Sequence, residues 1–228
     1  MQEPETIRLN KYLALHLGIS RREADDYIVQ QRVAINDAVA TLGARVTTTD
    51  TITVDHKPLG ALRAFEYIAL HKPVGYVCSR KRQGETPTIY ELLPDTLAQL
   101  KPVGRLDKNS SGILLLTNDG SFAHSMTHPS FHKTKTYEVT LEKPLEPLHQ
   151  QMISDHGIAL EDGVSKLLLE RLNDARTKWK VAMHEGRNRQ IRRTFGALGY
   201  DVAALHRTQF GKYDLGTLTE GTFEKISI

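Results

Sequence analysis

A single cysteine, Cys78, in 228 residues excludes any internal disulfide and fits a reducing compartment. No apolar run comes near the length of a membrane span, and the opening residues, MQEPETIRLNKYL, lack the apolar core of a secretory signal. There is no internal repeat and no low-complexity tract. No glycine-rich phosphate or methyl-donor loop follows a strand; HKPVGYV does not supply one. Net charge is only +3, a weak pull on polyanions in general. What remains is a chain expected to be soluble and cytoplasmic, without a membrane partner and monomeric by default. At 39% apolar content it can build a real core.

The charge that is present is concentrated. Residues 6–22 hold Arg8, Lys11, Arg21 and Arg22 and no acid. Residues 184–193, HEGRNRQIRR, hold Arg187, Arg189, Arg192 and Arg193 against Glu185 alone. Two basic clusters on a nearly neutral chain point to local phosphate contacts, although solvated faces explain either one taken singly.

Leu9, Leu13 and Leu17 recur every four residues, the mark of one helix face, and Gly18 ends it. Ser20 followed by Glu23 is a capping box that starts a second helix over 21–30, with Ala24 and Ile28 inward. Short strands are expected at 32–35 and 51–54, then a linker-like KPLGA and a domain boundary near residue 62. Arg21 and Arg22 fall in the first turn of the second helix, where the helix dipole disfavours cations and favours an arriving phosphate. With these features in place, RLNKYLALHLGISRREADDYIVQQRVAIN resembles the S4 RNA-binding domain, a small helix-helix-hairpin module. Asp50 matches the acid before its last strand. Gln31 and Asp37 stand where that family usually has glycine. The resemblance implies an RNA-binding domain over 1–61, with Arg8, Lys11, Arg21 and Arg22 on its basic face.

From 62 to 228 the pattern is mixed. Strands are expected at 65–70, 76–79, 113–117, 137–141, 166–172 and 178–183, and helices at 91–100, 120–126, 145–153 and 189–198. The spacing is too irregular for repeated βαβ units and predicts an α+β sheet domain.

Within it, VGRLDKNSSGILLLTNDG sets one carboxylate, Asp107, between Arg105 and Lys108, bounded by Gly104 and Gly112 and followed by an apolar strand. Locally, an Asx turn is the simplest account. Two flanking cations and a rigid anchor also suit a charged nucleophile or base. The stretch resembles the GRLDxxxSGLLLLTxDG signature of the bacterial ribosomal pseudouridine synthases, the branch holding the small-subunit synthase and its large-subunit relatives. LHKPVGYVCS, with His71 for the usual Asn, TPTIYELLP, KTYEV and EGRNRQIRRTFGALGYDVAALHRTQFG match further motifs in the same order. Together with the S4-like part, the likeness covers nearly the whole chain.

That resemblance implies isomerisation of a uridine in ribosomal RNA without a cofactor or metal, with Asp107 as the indispensable carboxylate. Attack on C1′ and removal of a sugar proton both stay open for it. A glycosidase pairs two carboxylates. Here the leaving base is retained and bears its own charge, and Glu185 and Asp119 read as structural. Tyr137 is implied to stack on the flipped base and Arg192 to pair with Asp107. Arg105 is implied to fill the gap or grip the backbone, Lys135 to contact substrate, and Leu205 to line the pocket. Arg187, Arg189 and Arg193 are expected at phosphates. The wording GETPTIYELLP and EGRNRQIRR leans toward a large-subunit uridine. The competing reading is a non-catalytic S4-bearing assembly factor, against which stands the presence of Asp107, Tyr137 and Arg192 together. His124, His128 and His132 have four-residue spacing, but Pro129 interrupts it and no acid or thiol completes a metal set. Cys78 reads as an inert buried thiol.

Overall fold

In a computed structural model of the chain, describing residues 6–60 and 64–228, two compact units divide at Phe65 and Glu66. The boundary expected near residue 62 lies outside the described residues.

The first unit is built as its local signals dictate. Helix Leu9–Leu17 ends on Gly18 in the left-handed region, φ 73°, whose N–H reaches the carbonyl of Ala14. Ser20 Oγ accepts from the Glu23 N–H and Glu23 in turn accepts from the Ser20 N–H, the reciprocal cap of helix Arg21–Val29. Leu9, Leu13, Ala24 and Ile28 bury against Val33, Val46 and Ile52. The hairpin Val33–Ile35 and Ala38–Val39 turns through Asn36 and Asp37, both at positive φ (49° and 69°). Such a mirror-image turn matches strand twist. Gln31 also sits left-handed, at φ 57°. Both positions where glycine is usual therefore keep the glycine backbone conformation despite bearing side chains.

The second unit is a mixed sheet running Leu168–Arg171, Lys178–Met183, Lys135–Leu141, Val202–Phe210, Ser111–Thr117, Tyr67–Lys72 and Phe223–Lys225. Tyr213–Asp214 pairs with Val202–Phe210, and Lys101–Pro102 with Ser111–Thr117. Neighbours are antiparallel except Val202–Phe210 beside Ser111–Thr117, which is parallel. Ile113 and Leu115 face one core with Met126 and Phe210; Leu114 and Leu116 face the other with Val139, Trp179 and Phe195. A strand buried on both sides must be a continuous apolar run, which is why ILLL has no alternation.

Several elements differ from expectation. Residues 91–100 do not form an α-helix: Pro94 splits the region into 3₁₀ turns Ile89–Leu92 and Asp95–Leu97. Residues 76–79 form only an isolated bridge, Val77 to Thr88. Val202–Phe210 was not anticipated, although it is the longest strand among the described residues. Its sequence, VAALHRTQF, breaks apolar alternation because Arg207 is turned inward to a functional cleft.

Candidate active site

The loop carrying Asp107 is held from below by a residue whose role the sequence did not announce. Lys72, fully buried at the end of its strand, donates from Nζ to the carbonyls of Pro73 (2.9 Å), Asp107 (3.1 Å) and Ser110 (2.7 Å). One ammonium thus gathers both sides of the Asp107 turn. Burial pulls its pKa down to about 8, while Cys78 and Asp107 oppose that fall. The Cys78 thiol, pushed up by burial, donates to the carbonyl of Leu106 (3.3 Å). Lys108 turns aside to Thr86 Oγ1 (2.9 Å) and so does not cover the Asp107 carboxylate. Gly112 closes the loop at φ 110°, where an added Cβ would lie 2.1 Å from the carbonyl oxygen of Arg207. Only glycine allows this strand to lie so close to its parallel neighbour.

Asp107 opens onto a cleft of about 600 Å³ whose walls include Tyr137, Leu205, Met183 and Phe210. That volume lies within the roughly 300–1,000 Å³ usual for ligand sites. Arg189 Nη1 stands 3.5 Å from Asp107 Oδ2. Arg192, expected to pair with Asp107, instead bridges backbone: Nη2 donates to the Asn109 carbonyl (2.7 Å) and Nη1 to that of Val202 (2.6 Å). Its pKa is lowered first by burial and then by Arg189, with Asp107 acting the other way. Arg192 therefore ties the far side of the Asp107 loop to the strand that carries Leu205. Ile191 and Phe195 bury below it as the helical stripe required, and Leu198 packs partly buried against the same core.

The other expected residues separate into three groups. Arg105, Lys135 and Leu205 line the same cleft as Asp107 and Tyr137. Arg187, which also lines the cleft, and Arg193 are half-buried and occupied by an acid: Arg187 Nη1 and Arg193 Nη2 meet Asp162 at 2.9 and 2.6 Å. Arg187 also binds the carbonyls of Gly163 and Val164, so it fastens the hairpin Ile158–Leu160 and Gly163–Ser165 to the helix Gln190–Gly196. Both guanidinium groups, expected at phosphates, have protein acceptors in this structure. Arg8, Arg21 and Arg22 are exposed in the first unit, Arg21 donating to Asn10 Oδ1 (3.3 Å), and Lys11 is half-buried on the same helix as Asn10. Asp119 is structural: it caps helix Gly120–Thr127 and accepts from the Tyr67 hydroxyl (2.9 Å), which burial first and this bond second push up to about 12. Glu185 differs from expectation by lining the cleft, although its carboxylate is already held by Arg187 and Gln190.

Sequence reasoning missed Lys72 and Arg207. Each is a charged residue inside an apolar strand, at Lys72 in YIALHK and Arg207 in VAALHRTQF. A cation at a position where the strand pattern calls for burial was the available signal.

Comparison with known proteins identifies the family. Residues 66–197 match the RNA pseudouridylate synthase family and residues 7–52 match the S4 domain. A Pasteurella multocida protein named ribosomal small subunit pseudouridine synthase A is 38% identical over 227 residues, covering 97% of this chain and 96% of its own. A Bacillus subtilis protein named ribosomal large subunit pseudouridine synthase B is 34% identical, covering 96% of this chain and 92% of its own. A solved pseudouridylate synthase crystal structure superposes with a TM-score of 0.69 at 34% identity, covering 97% of this chain and 96% of that one. The chain belongs to the RNA pseudouridylate synthase family and carries an N-terminal S4 domain.

Proposed function

We propose that this protein isomerises a uridine of ribosomal RNA to pseudouridine, with Asp107 as the carboxylate that acts at the ribose. The observation that carries the reading is Asp107 fixed at the mouth of a 600 Å³ cleft, with Tyr137 and Leu205 in its walls and Arg189 at 3.5 Å. A base must leave its stack to reach such a recess, and extrusion costs a few kcal/mol that stacking on an aromatic ring offsets. Tyr137, 8% exposed on strand Lys135–Leu141 and in the cleft wall, supports this reading as the ring that the base stacks on. Arg105 and Arg189 at the rim suit the phosphates flanking the extruded nucleotide. Arg192 serves as a positioning residue for the Asp107 loop.

The test uses ribosomal RNA tritiated at uridine C5. The protein should release tritium as pseudouridine forms, and Asp107→Asn should abolish release while leaving RNA affinity within about twofold, since the carboxylate acts on the reaction rather than on docking. An Asn variant as active as the parent sinks the assignment. Running small- and large-subunit RNA separately assigns the subunit. The GETPTIYELLP and EGRNRQIRR wording favours the large, whereas the relative at 38% identity bears a small-subunit name.

A further inference from the structure

Among the described residues every fully buried charged side chain is a cation: Lys72, Lys135 and Arg207, at 0%, 8% and 2% exposure. Burying charge without a partner is costly, so such an excess calls for an explanation. Lys72 has one, the three carbonyls of the Asp107 loop. Lys135 and Arg207 do not. Both line the Asp107 cleft. Arg207 spends Nε on the Ile113 carbonyl (2.9 Å), but its buried Nη2 has no acceptor. Lys135 Nζ has one long contact, to the Glu185 carbonyl at 3.3 Å. The two cations share the ring of Phe210, at 5.3 and 4.9 Å from its centroid. They also feel each other: after burial, Arg207 is the largest influence lowering the pKa of Lys135. The one acid that raises the pKa of Lys135, Glu185, is committed to Arg187 and Gln190. Beside them the buried Ser110 Oγ likewise lacks a partner.

We propose that Lys135 and Arg207 form a cationic floor that receives the carbonyl oxygens of the target uracil and holds the negative charge the base acquires when it leaves ribose. This rests on the pseudouridine synthase reading above. When the C1′–N1 bond breaks, C1′ bonds to the Asp107 carboxylate or the sugar gives up a proton to it. The electron pair of the broken bond stays on the base, and the resulting anion spreads its charge over O2 and O4. After the ring turns, C5 uses a pair to rejoin C1′ as Asp107 leaves or returns the sugar proton, the C5 proton departs and N1 takes one up, so the formula is unchanged. Between departure and rejoining, the charge lies largely on the exocyclic O2 and O4. Fixed donors in a recess that excludes water stabilise such charge without reorganising when it develops. A phosphate suits the floor less well, because Phe210, Leu205 and Tyr137 enclose it with the apolar surface a base wants.

The experiment compares the full chain with Lys135→Met and Arg207→Lys, which keeps a charge and spares the fold where removing the guanidinium outright would strand the Ile113 carbonyl. Single-turnover consumption is followed on two RNAs carrying uridine or 5-fluorouridine at the target, read by digestion and nucleoside chromatography. Fluorine withdraws electrons and makes the base anion stable with less help. Lys135→Met should slow uridine consumption on the order of 10²-fold, the size of a lost oxyanion donor. RNA affinity should stay within about twofold, and the slowing should shrink to about tenfold or less on 5-fluorouridine, as an electrostatic role demands. Arg207→Lys should show the same substrate dependence with a smaller loss. Equal slowing on both RNAs, no slowing on uridine, or affinity falling in step with rate (the mark of a phosphate contact) overturns the floor. Conversion of uridine RNA by the parent protein in the same run upholds the synthase reading, so failure of the one is told apart from failure of the other.

Discussion

The two basic stretches of this chain look alike in composition and differ in what they do. Arg8, Arg21 and Arg22 of the first unit are exposed. Of the four arginines between 187 and 193, two are bound to Asp162, one stands against Asp107 and one bridges the carbonyls of Asn109 and Val202. The first stretch presents charge; the second uses it as mortar. A count of arginines cannot separate these cases, because the deciding partner lies far along the chain, at Asp162 and Asn109. The lesson is that a basic cluster marks a phosphate site only where no internal acceptor reaches it first.

The sharpest way to test that contrast is Arg192→Met, which keeps the aliphatic stem and removes both carbonyl bonds. If this arginine positions the Asp107 loop, the single-turnover rate should fall on the order of 10²-fold, the usual effect of misplacing a reacting group by about 1 Å. RNA affinity should barely move, and Arg192→Lys, able to reach one carbonyl, should recover part of the rate. Equal losses of rate and affinity would instead make Arg192 a docking residue, like those of the first unit.

Lys72→Met comes next. A lysine whose folded pKa is near 8, below its ordinary 10.5, is penalised by folding while charged. The sign follows: below pH 8 the penalty is fully present, and between pH 8 and 10.5 the unfolded chain binds more protons, so this group's contribution to stability rises with pH. The rise amounts to about 3 kcal/mol at most. The parent should therefore gain stability over that window relative to Lys72→Met in denaturant titrations at several pH values. Activity should move oppositely. The neutral amine has two N–H groups for three carbonyls, so turnover should decline above pH 8 in the parent and stay low and flat in the variant. A variant whose rate matches the parent at pH 7 would remove Lys72 from the support of Asp107.

How much of this was legible beforehand depended on the range of each cause. Leu9, Leu13, Gly18, Ser20 and Glu23 act within a turn or two of themselves, and the helices of the first unit formed where they pointed. The run Ile113–Leu116 revealed its burial because both faces demand apolar residues. Asp107, Tyr137, Leu205, Lys135 and Arg105 were readable as motif positions and do line one cleft. What escaped depends on distant partners. Arg207 pairs in register with Gly112 across 95 residues of chain, and Lys72 closes on Ser110. Pro94 was in plain view, and extending a helix across it ignored a local signal that should have prevailed.

For the exposed arginines, the double variant Arg21→Ala with Arg22→Ala probes phosphate contact directly. RNA binding should weaken about tenfold at moderate salt, and the slope of log affinity against log salt should drop by about 2, near one for each phosphate no longer neutralised. The melting temperature should stay the same, since neither side chain is buried. An unchanged slope would show these residues to be a solvated face.

Asp162→Asn inverts the experiment and has the smallest expected effect. It preserves size and removes the charge that holds Arg187 and Arg193. The pairs are partly exposed and screened by solvent, so the loss should be small, seen as a melting shift of a few degrees at most. With Asp162 neutral, Arg187 retains the Glu185 carboxylate and the carbonyls of Asp162, Gly163 and Val164, and Arg193 retains the carbonyl of Asn188. The salt slope for RNA should then steepen by no more than about 1, because those carbonyls still anchor the side chains away from solvent. A steeper gain, with both arginines recruited to phosphate, would mean that a single acid decides whether this stretch behaves as mortar or as a docking face.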